Sequence, residues 1–160
     1  MAGSRLKNKI AIVTGAGSGI GRACAIALAR EGCQVALVGR RKERLEETAH
    51  EIGDSALVLA ADASKKDEIA RVVDDTIARF AGLNVLLNNA GVLHIGTVEQ
   101  ITDEQWDETL MSMFGAHGYF LGRCFRPCER LAAARSSTWL RCSALTARVT
   151  ALRMRRRKAP

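Results

Sequence analysis

Residues 9–32, KIAIVTGAGSGIGRACAIALAREG, restrict the fold more than any other stretch of the chain. KIAIVTG (9–15) is a short run rich in Ile and Val that closes on glycine. It predicts a strand buried on both faces. GIGRACAIALAREG (19–32) places Ile20, Cys24, Ala27 and Leu28 at helical spacing, with Gly32 as the stop. Between the two lies TGAGSGIG (14–21), so the strand passes through a glycine-rich turn directly into the helix. Glycine allows a tight turn and a close backbone approach to a ligand. The helix N-terminus then presents free N–H groups and a partial positive charge to a phosphate. In this context the loop predicts a dinucleotide site. A tight turn with a structural role alone is the alternative.

The same alternation continues downstream. QVALVG (34–39), ALVLAAD (56–62) and NVLLNNAG (84–91) read as further strands. RKERLEETAHEI (41–52) puts Leu45, Ala49 and Ile52 on one helical face. KKDEIARVVDDTIARF (65–80) does the same with Ile69, Val73, Thr76, Ile77 and Phe80. Strict strand–helix alternation implies parallel strands joined by right-handed crossovers. The expected fold is α/β, a doubly wound parallel sheet with strand order 3-2-1-4. TDEQWDETL (102–110) opens one more helix, with Thr102 and Gln105 at capping-box spacing. Beyond about residue 110 no period of 2 or 3.6 is sustained.

Composition narrows the function classes. The 160 residues fit one domain, and no apolar run approaches the roughly 18 residues that a bilayer span requires. The N-terminus MAGSRLKNKI has no apolar core of a secretory signal, so a cytoplasmic location is expected. The five cysteines follow no framework spacing and are read as reduced thiols. Cys124, Cys128 and His117 lack a second close ligand pair, so no metal site is expected. Residues 1–120 carry 13 basic and 16 acidic side chains, a net −3, whereas residues 121–160 carry 11 basic side chains and one acid, a net +10. The basic segment ends in ALRMRRRKAP, without interleaved aromatics or a docking motif, which disfavours nucleic-acid binding. Its arginines do not line one face of an apolar helix, which disfavours membrane attachment.

The spacing Thr-Gly-x-x-x-Gly-x-Gly at 14–21, AAD at 60–62 and NNAG at 88–91 resembles the short-chain dehydrogenase/reductase family, in the family's order and at its distances. The resemblance covers roughly residues 5–110. It implies a Rossmann-type fold, a nicotinamide cofactor and hydride transfer between an alcohol and a ketone. It further implies that Gly15, Gly19 and Gly21 shape a pyrophosphate loop, with Ser18 and Ile20 against the cofactor. Asp62 and Ala63 would face the adenine, and Asn89, Ala90 and Gly91 would line the cofactor cleft. Cofactor choice rests on VGRRK (38–42), where Arg40 and Arg41 follow the second strand in place of the acid that binds the ribose hydroxyls of NAD. Guanidinium attracts a 2′-phosphate, so NADP is expected over NAD.

The resemblance also defines what is missing. The family uses a tyrosine as general acid/base with a lysine four residues later. The single tyrosine here, Tyr119, is followed at that spacing by Arg123, so no catalytic residue is assigned. Met154 stands four residues before Lys158. Back-translated and read one nucleotide earlier, residues 154–160 can spell Tyr-Ala-Ala-Ser-Lys-Gly-Ala, a family active-site segment. The same shift permits an asparagine at position 113 and a serine at position 141, at family spacing. The expectation is an incomplete dinucleotide-binding domain over 1–110, followed over 111–160 by a basic tail that is out of frame and poorly ordered. Such a chain binds cofactor at best. The alternatives are a nucleotide-binding module without catalysis and a nucleic-acid binder acting through the tail. The family is usually homo-oligomeric, but the helices that pair its subunits fall in the unmatched region.

Overall fold

The computed structural model describes residues 6–97, 99–112 and 118–120. Met113, His117, Arg123, Cys124, Cys128, Arg141, Met154 and Lys158, singled out above, lie outside the described residues. The elements run β1 (Ile10–Thr14), α1 (Gly19–Arg30), β2 (Gln34–Gly39), α2 (Lys42–Ile52), β3 (Ala56–Ala60), α3 (Lys66–Phe80), β4 (Val85–Leu87) and α4 (Asp103–Leu110). The four strands form one parallel sheet in the order β3-β2-β1-β4, as the alternation predicts. This is a Rossmann-type doubly wound sheet. Register sets Ile12 beside Ala36 of β2 and beside Leu86 of β4. Two expected strands are shorter than their apolar runs. β3 stops at Ala60 and β4 at Leu87, because the chain there leaves the ladder to build the loops at the sheet's carboxyl edge.

Side-chain alternation along the strands divides the core in two. Ile10, Ile12, Ala36 and Val38 face one way and pack with Ile69, Val72, Val73 and Phe80 of α3. Val13, Val35 and Leu37 face the other way and pack with Ala25 of α1 and Leu45 of α2. Phe120, fully buried, joins the α3 side. Core contacts therefore extend past residue 110.

The helix faces follow the sequence closely in α3 and less so in α1. Of the residues at helical spacing in α1, Leu28 packs against the core and Cys24 is half-buried, whereas Ile20 and Ala27 are exposed. Gly21 and Ala25 are the buried residues of α1, and Ile20 is 75% exposed. Small residues let the helix lie close to β1, which outweighs burying one isoleucine. α1 ends at Arg30 with Glu31 as its C-cap, as the expected glycine stop requires. Gly32 follows with φ +88, in the left-handed region. α4 has the complete capping box: the Thr102 hydroxyl accepts from the Gln105 N–H at 3.3 Å, and the Gln105 side chain accepts from the Thr102 N–H at 3.2 Å. No helix among the described residues is long and apolar enough to cross a membrane.

Candidate functional site

The carboxyl ends of all four strands surround a cleft of about 250 Å³. Doubly wound sheets bind ligands at this edge, where the strand order reverses. Here the reversal lies between β1 and β4.

The glycine loop forms the floor. Gly15 (φ +67) and Gly19 (φ +54) occupy the left-handed region that glycine adopts freely. A Cβ on Gly21 would collide with the Gly15 carbonyl and with the Asn89 amide. Gly17 is constrained too, since a Cβ there would lie 2.9 Å from Cβ of Arg44. The loop is also tied on both sides. The Ala16 N–H donates to the Val38 carbonyl at 3.2 Å, and the buried Thr48 hydroxyl donates to the Ala16 carbonyl at 3.1 Å. Ser18 is the N-cap of α1, yet its side chain makes no cap hydrogen bond.

A second set of bonds fastens the segment after β4 to the end of β1. Thr14, 1% exposed, accepts at Oγ1 from the N–H groups of Asn89 and Ala90, both at 3.0 Å. Nδ2 of Asn89 donates to the Thr14 carbonyl at 3.2 Å. Asn89 thus lies beneath the glycine loop and does not line the cleft, whereas Ala90 and Gly91 do. Farther along, the Val92 N–H donates to the Ser112 hydroxyl at 3.0 Å. His94 Nε2 meets Glu108 at 2.8 Å, which ties the loop after β4 to α4.

Charge gathers beyond β2 and β3. Arg40 and Arg41 line the cleft, and neither forms an ion pair with a described residue. Asp62, after the neighbouring strand β3, lines the cleft with Ala63 and Ser64. Its Oδ1 accepts from the Ser64 N–H at 2.9 Å and from the Ser64 hydroxyl at 2.8 Å. Burial pushes the Asp62 carboxyl up, but the two Ser64 hydrogen bonds and the charges of Arg40 and Lys65 outweigh it. The group is held below the ordinary value.

Of the residues expected from sequence, Gly15, Ser18, Arg40, Arg41, Asp62, Ala63, Ala90 and Gly91 line one cleft. Gly19, Ile20, Gly21 and Asn89 do not line it. Gly21 and Asn89 support the loop from beneath, and Gly19 and Ile20 open α1. Tyr119 is not a cleft residue either. Its ring lies under Lys66 Nζ, 5.7 Å from the centroid. Sequence reasoning missed Gly17, Arg44, Glu108 and Ser112 in the lining, and Thr14 and Thr48 behind it. The available signals were Thr14 and Gly17 inside the glycine-rich motif and the polar Thr48 at an inward helical position of α2.

Fold and cleft together define a dinucleotide-binding type of α/β chain. A family model described as short chain dehydrogenase matches residues 9–121, and the chain belongs to that family. It is 40% identical over 107 residues to a short chain dehydrogenase of Emericella nidulans, across 64% of this chain and 40% of the relative. An 11-beta-hydroxysteroid dehydrogenase 1A of Arabidopsis thaliana is 46% identical over 102 residues, 61% of this chain and 29% of the relative. The chain therefore spans less than half the length of these relatives. Among solved structures it is similar to a 3-ketoacyl-(acyl-carrier-protein) reductase from Brucella melitensis complexed with NADH. That likeness has a TM-score of 0.74 at 34% identity and covers 81% of this chain and 53% of the reductase.

Proposed function

We propose that the cleft is a nicotinamide-dinucleotide site with a preference for NADP, carried by a chain that does not itself complete alcohol–ketone hydride transfer. The observation that carries the reading is the meeting of the glycine loop, Arg40 with Arg41, and Asp62 around one cleft at the sheet's carboxyl edge. The residues fit the group. Gly15, Gly17 and Gly21 keep side chains out of a loop that must approach a pyrophosphate, and the uncapped first turn of α1 has N–H groups to offer it. Asp62 is ionised at neutral pH and can accept from an adenine amino group through the oxygen that Ser64 does not use. Arg40 and Arg41 can take a 2′-phosphate, which an acid at the end of β2 would repel. In that respect this chain differs in expectation from the NADH-bound reductase it resembles.

When bound, the cofactor supplies or accepts hydride. The protein's side chains must then move a proton to or from the substrate oxygen, which requires a titratable group within hydrogen-bond reach. Tyr119 is stacked on Lys66 away from the cleft lining, and Tyr-x-x-x-Lys does not occur in the sequence. The reading is thus cofactor binding without turnover. We extend the same proposal to the basic tail, as out-of-frame sequence of an ordinary family member. That reading puts the boundary near residue 110, and the family match to residue 121 and the burial of Phe120 weigh against so early a boundary. A cytoplasmic location and the absence of nucleic-acid and membrane partners belong to this reading as well.

Titration with NADPH and NADH, followed by cofactor fluorescence, tests the site; NADPH should bind at least about tenfold more tightly, a difference of about 1.4 kcal/mol. Equal affinities would remove the NADP preference, and clear NADPH oxidation with a panel of ketones would remove the claim of inactivity. The coding DNA tests the tail. A neighbouring frame without an open Tyr-x-x-x-Lys segment refutes the frame reading.

A further inference from the structure

α4 carries its faces in the reverse of the usual order. A surface helix turns an apolar stripe to the core and polar residues to solvent. Here the half-buried positions are Gln105 and Thr109, followed by Ser112, and all three are polar. The Thr109 hydroxyl donates to the Gln105 carbonyl at 2.9 Å, and the Val92 N–H donates to the Ser112 hydroxyl at 3.0 Å. The large apolar side chains lie outside. Trp106 is 58% exposed, and Leu110 and Met111 are exposed as well. Acids share this outer face: Asp103 stands three positions before Trp106, and Asp107 three before Leu110. Neither acid forms an ion pair with a described residue.

The chain itself supplies the complement. No lysine or arginine occurs between Arg79 and Arg123, an interval that holds Glu99, Asp103, Glu104, Asp107 and Glu108. Residues 121–160 then carry 11 basic side chains and one acid, interspersed with apolar residues such as Leu131, Trp139, Leu140 and Val149. A second α4 is a poor occupant, because it would set Asp103 and Asp107 against their like. The basic segment of the same chain follows directly on Phe120. Covalent attachment gives it an effective concentration on the order of millimolar, above that of another copy in dilute solution.

We propose that the outer face of α4 docks residues 121–160 of the same chain, basic side chains against Asp103 and Asp107 and apolar ones on Trp106 and Leu110. The proposal is independent of the cofactor reading and of how the basic segment arose. Trp106 and Trp139 are the two tryptophans, so the full chain with Trp139→Phe reports on Trp106 alone. Quenching by acrylamide, which is neutral, measures how open that indole is. The screening length falls from about 30 Å at 0.01 M salt to about 3 Å at 1 M, and the quenching constant should rise at least about twofold between them. Asp103→Asn with Asp107→Asn, in the same background, should show the high-salt value already at low salt. Asp67→Asn with Asp75→Asn removes the same charge from exposed positions of α3 and should behave as the parent. Quenching that does not change with salt overturns the proposal. Equal loss of protection in the two double variants reduces the effect to net charge and overturns it, and full protection in both overturns it by removing the α4 acids. Protection lost on dilution at constant low salt assigns the face to a second copy and overturns the intramolecular contact. If Asp103→Asn with Asp107→Asn fails to fold by circular dichroism, Asp107→Asn alone decides: quenching equal to the parent's overturns the proposal, and a partial rise supports it.

Discussion

Thr14 and Asn89, 75 residues apart in sequence, hold each other at the junction of β1 and β4: the Thr14 hydroxyl accepts from the Asn89 N–H, and the Asn89 amide donates to the Thr14 carbonyl. The glycine loop begins one residue after Thr14, and Gly21 comes back over the same amide. The pair thus links the sheet to the loop that would face a phosphate. Replacing Thr14 with Val keeps the shape and removes the acceptor for two N–H groups, those of Asn89 and Ala90. Thr14→Val should cost about 2–3 kcal/mol, the range for stranding polar groups away from water. Thr14→Ser should cost less. Urea denaturation of the three proteins checks the order, and equal midpoints for Thr14→Val and wild type would remove the structural role of the hydroxyl.

The two helix-start glycines should behave differently. Gly19 has open space where a side-chain methyl would sit but φ +54, so Gly19→Ala carries only backbone strain, about 1 kcal/mol. Gly21→Ala drives its methyl into the Gly15 carbonyl and the Asn89 amide, neither of which can retreat without breaking the junction. It should cost about 3 kcal/mol or more, on the scale of overpacking at a buried site. Thermal melts of both variants decide this, and a Gly21→Ala protein as stable as Gly19→Ala would contradict the close packing of α1 on the loop.

How much of this could be read from sequence depends on the range of each contact. Strand positions and the α3 face were legible because apolar runs and a regular helical period encode them locally, and the strand order followed from the doubly wound pattern that the alternation implies. Asn89 was not. Its residue type and position suggested the cleft, but its amide is claimed by a β1 carbonyl that only the β1–β4 register brings near. In α1, Leu28 packs inward as its spacing suggests, but Ile20 does not, because close packing selected the smaller Gly21 and Ala25. Gly17 and Arg44 stayed hidden because their meeting depends on where α2 lies over the loop.

Asp62 should make stability depend on acid. Its folded pKa lies below its unfolded one, because the Ser64 hydrogen bonds and nearby Arg40 and Lys65 overcome the effect of burial. Between the two values the unfolded chain binds more protons, so stability rises with pH there. The contribution is complete above the unfolded carboxyl value, about 3.9, and is lost as pH falls through the folded one. Asp62→Asn should therefore lose more stability at pH 6 than at pH 2.5, and its acid limb should be shallower than that of the wild type. Parallel limbs in denaturation between pH 2 and 6 would show that Asp62 gains nothing from these partners.

The α3 face offers a test of where the folded unit ends. Phe120 is fully buried among Ile69, Val72, Val73 and neighbouring residues of the β1 and β2 face, ten positions beyond the end of α4. Truncating a buried phenylalanine to alanine removes its transfer free energy and leaves a cavity, together about 3–5 kcal/mol. If the folded unit stopped near 110, Phe120→Ala would leave stability unchanged. If it runs to the end of the family match at residue 121, the variant should lose most of the stability of so small a sheet.

The outer edge of β4 supplies the last prediction. β4 is three residues long, pairs only with β1 among the described strands, and keeps Val85, Leu86 and Leu87 half-buried. Leu86 packs into the α3-side core and Leu87 into the other, so both apolar layers reach the edge of the described sheet. No described strand covers this apolar edge, and an uncovered one is a template for pairing with another chain. The protein should therefore associate as its concentration rises, seen as growing light scattering and a Tm that depends on concentration. Val85 belongs to neither core cluster, so Val85→Lys places a charge on the edge at little cost to packing. That variant should scatter less at equal concentration while its circular dichroism spectrum is retained. Unchanged scattering in Val85→Lys would place the sticky surface elsewhere than β4.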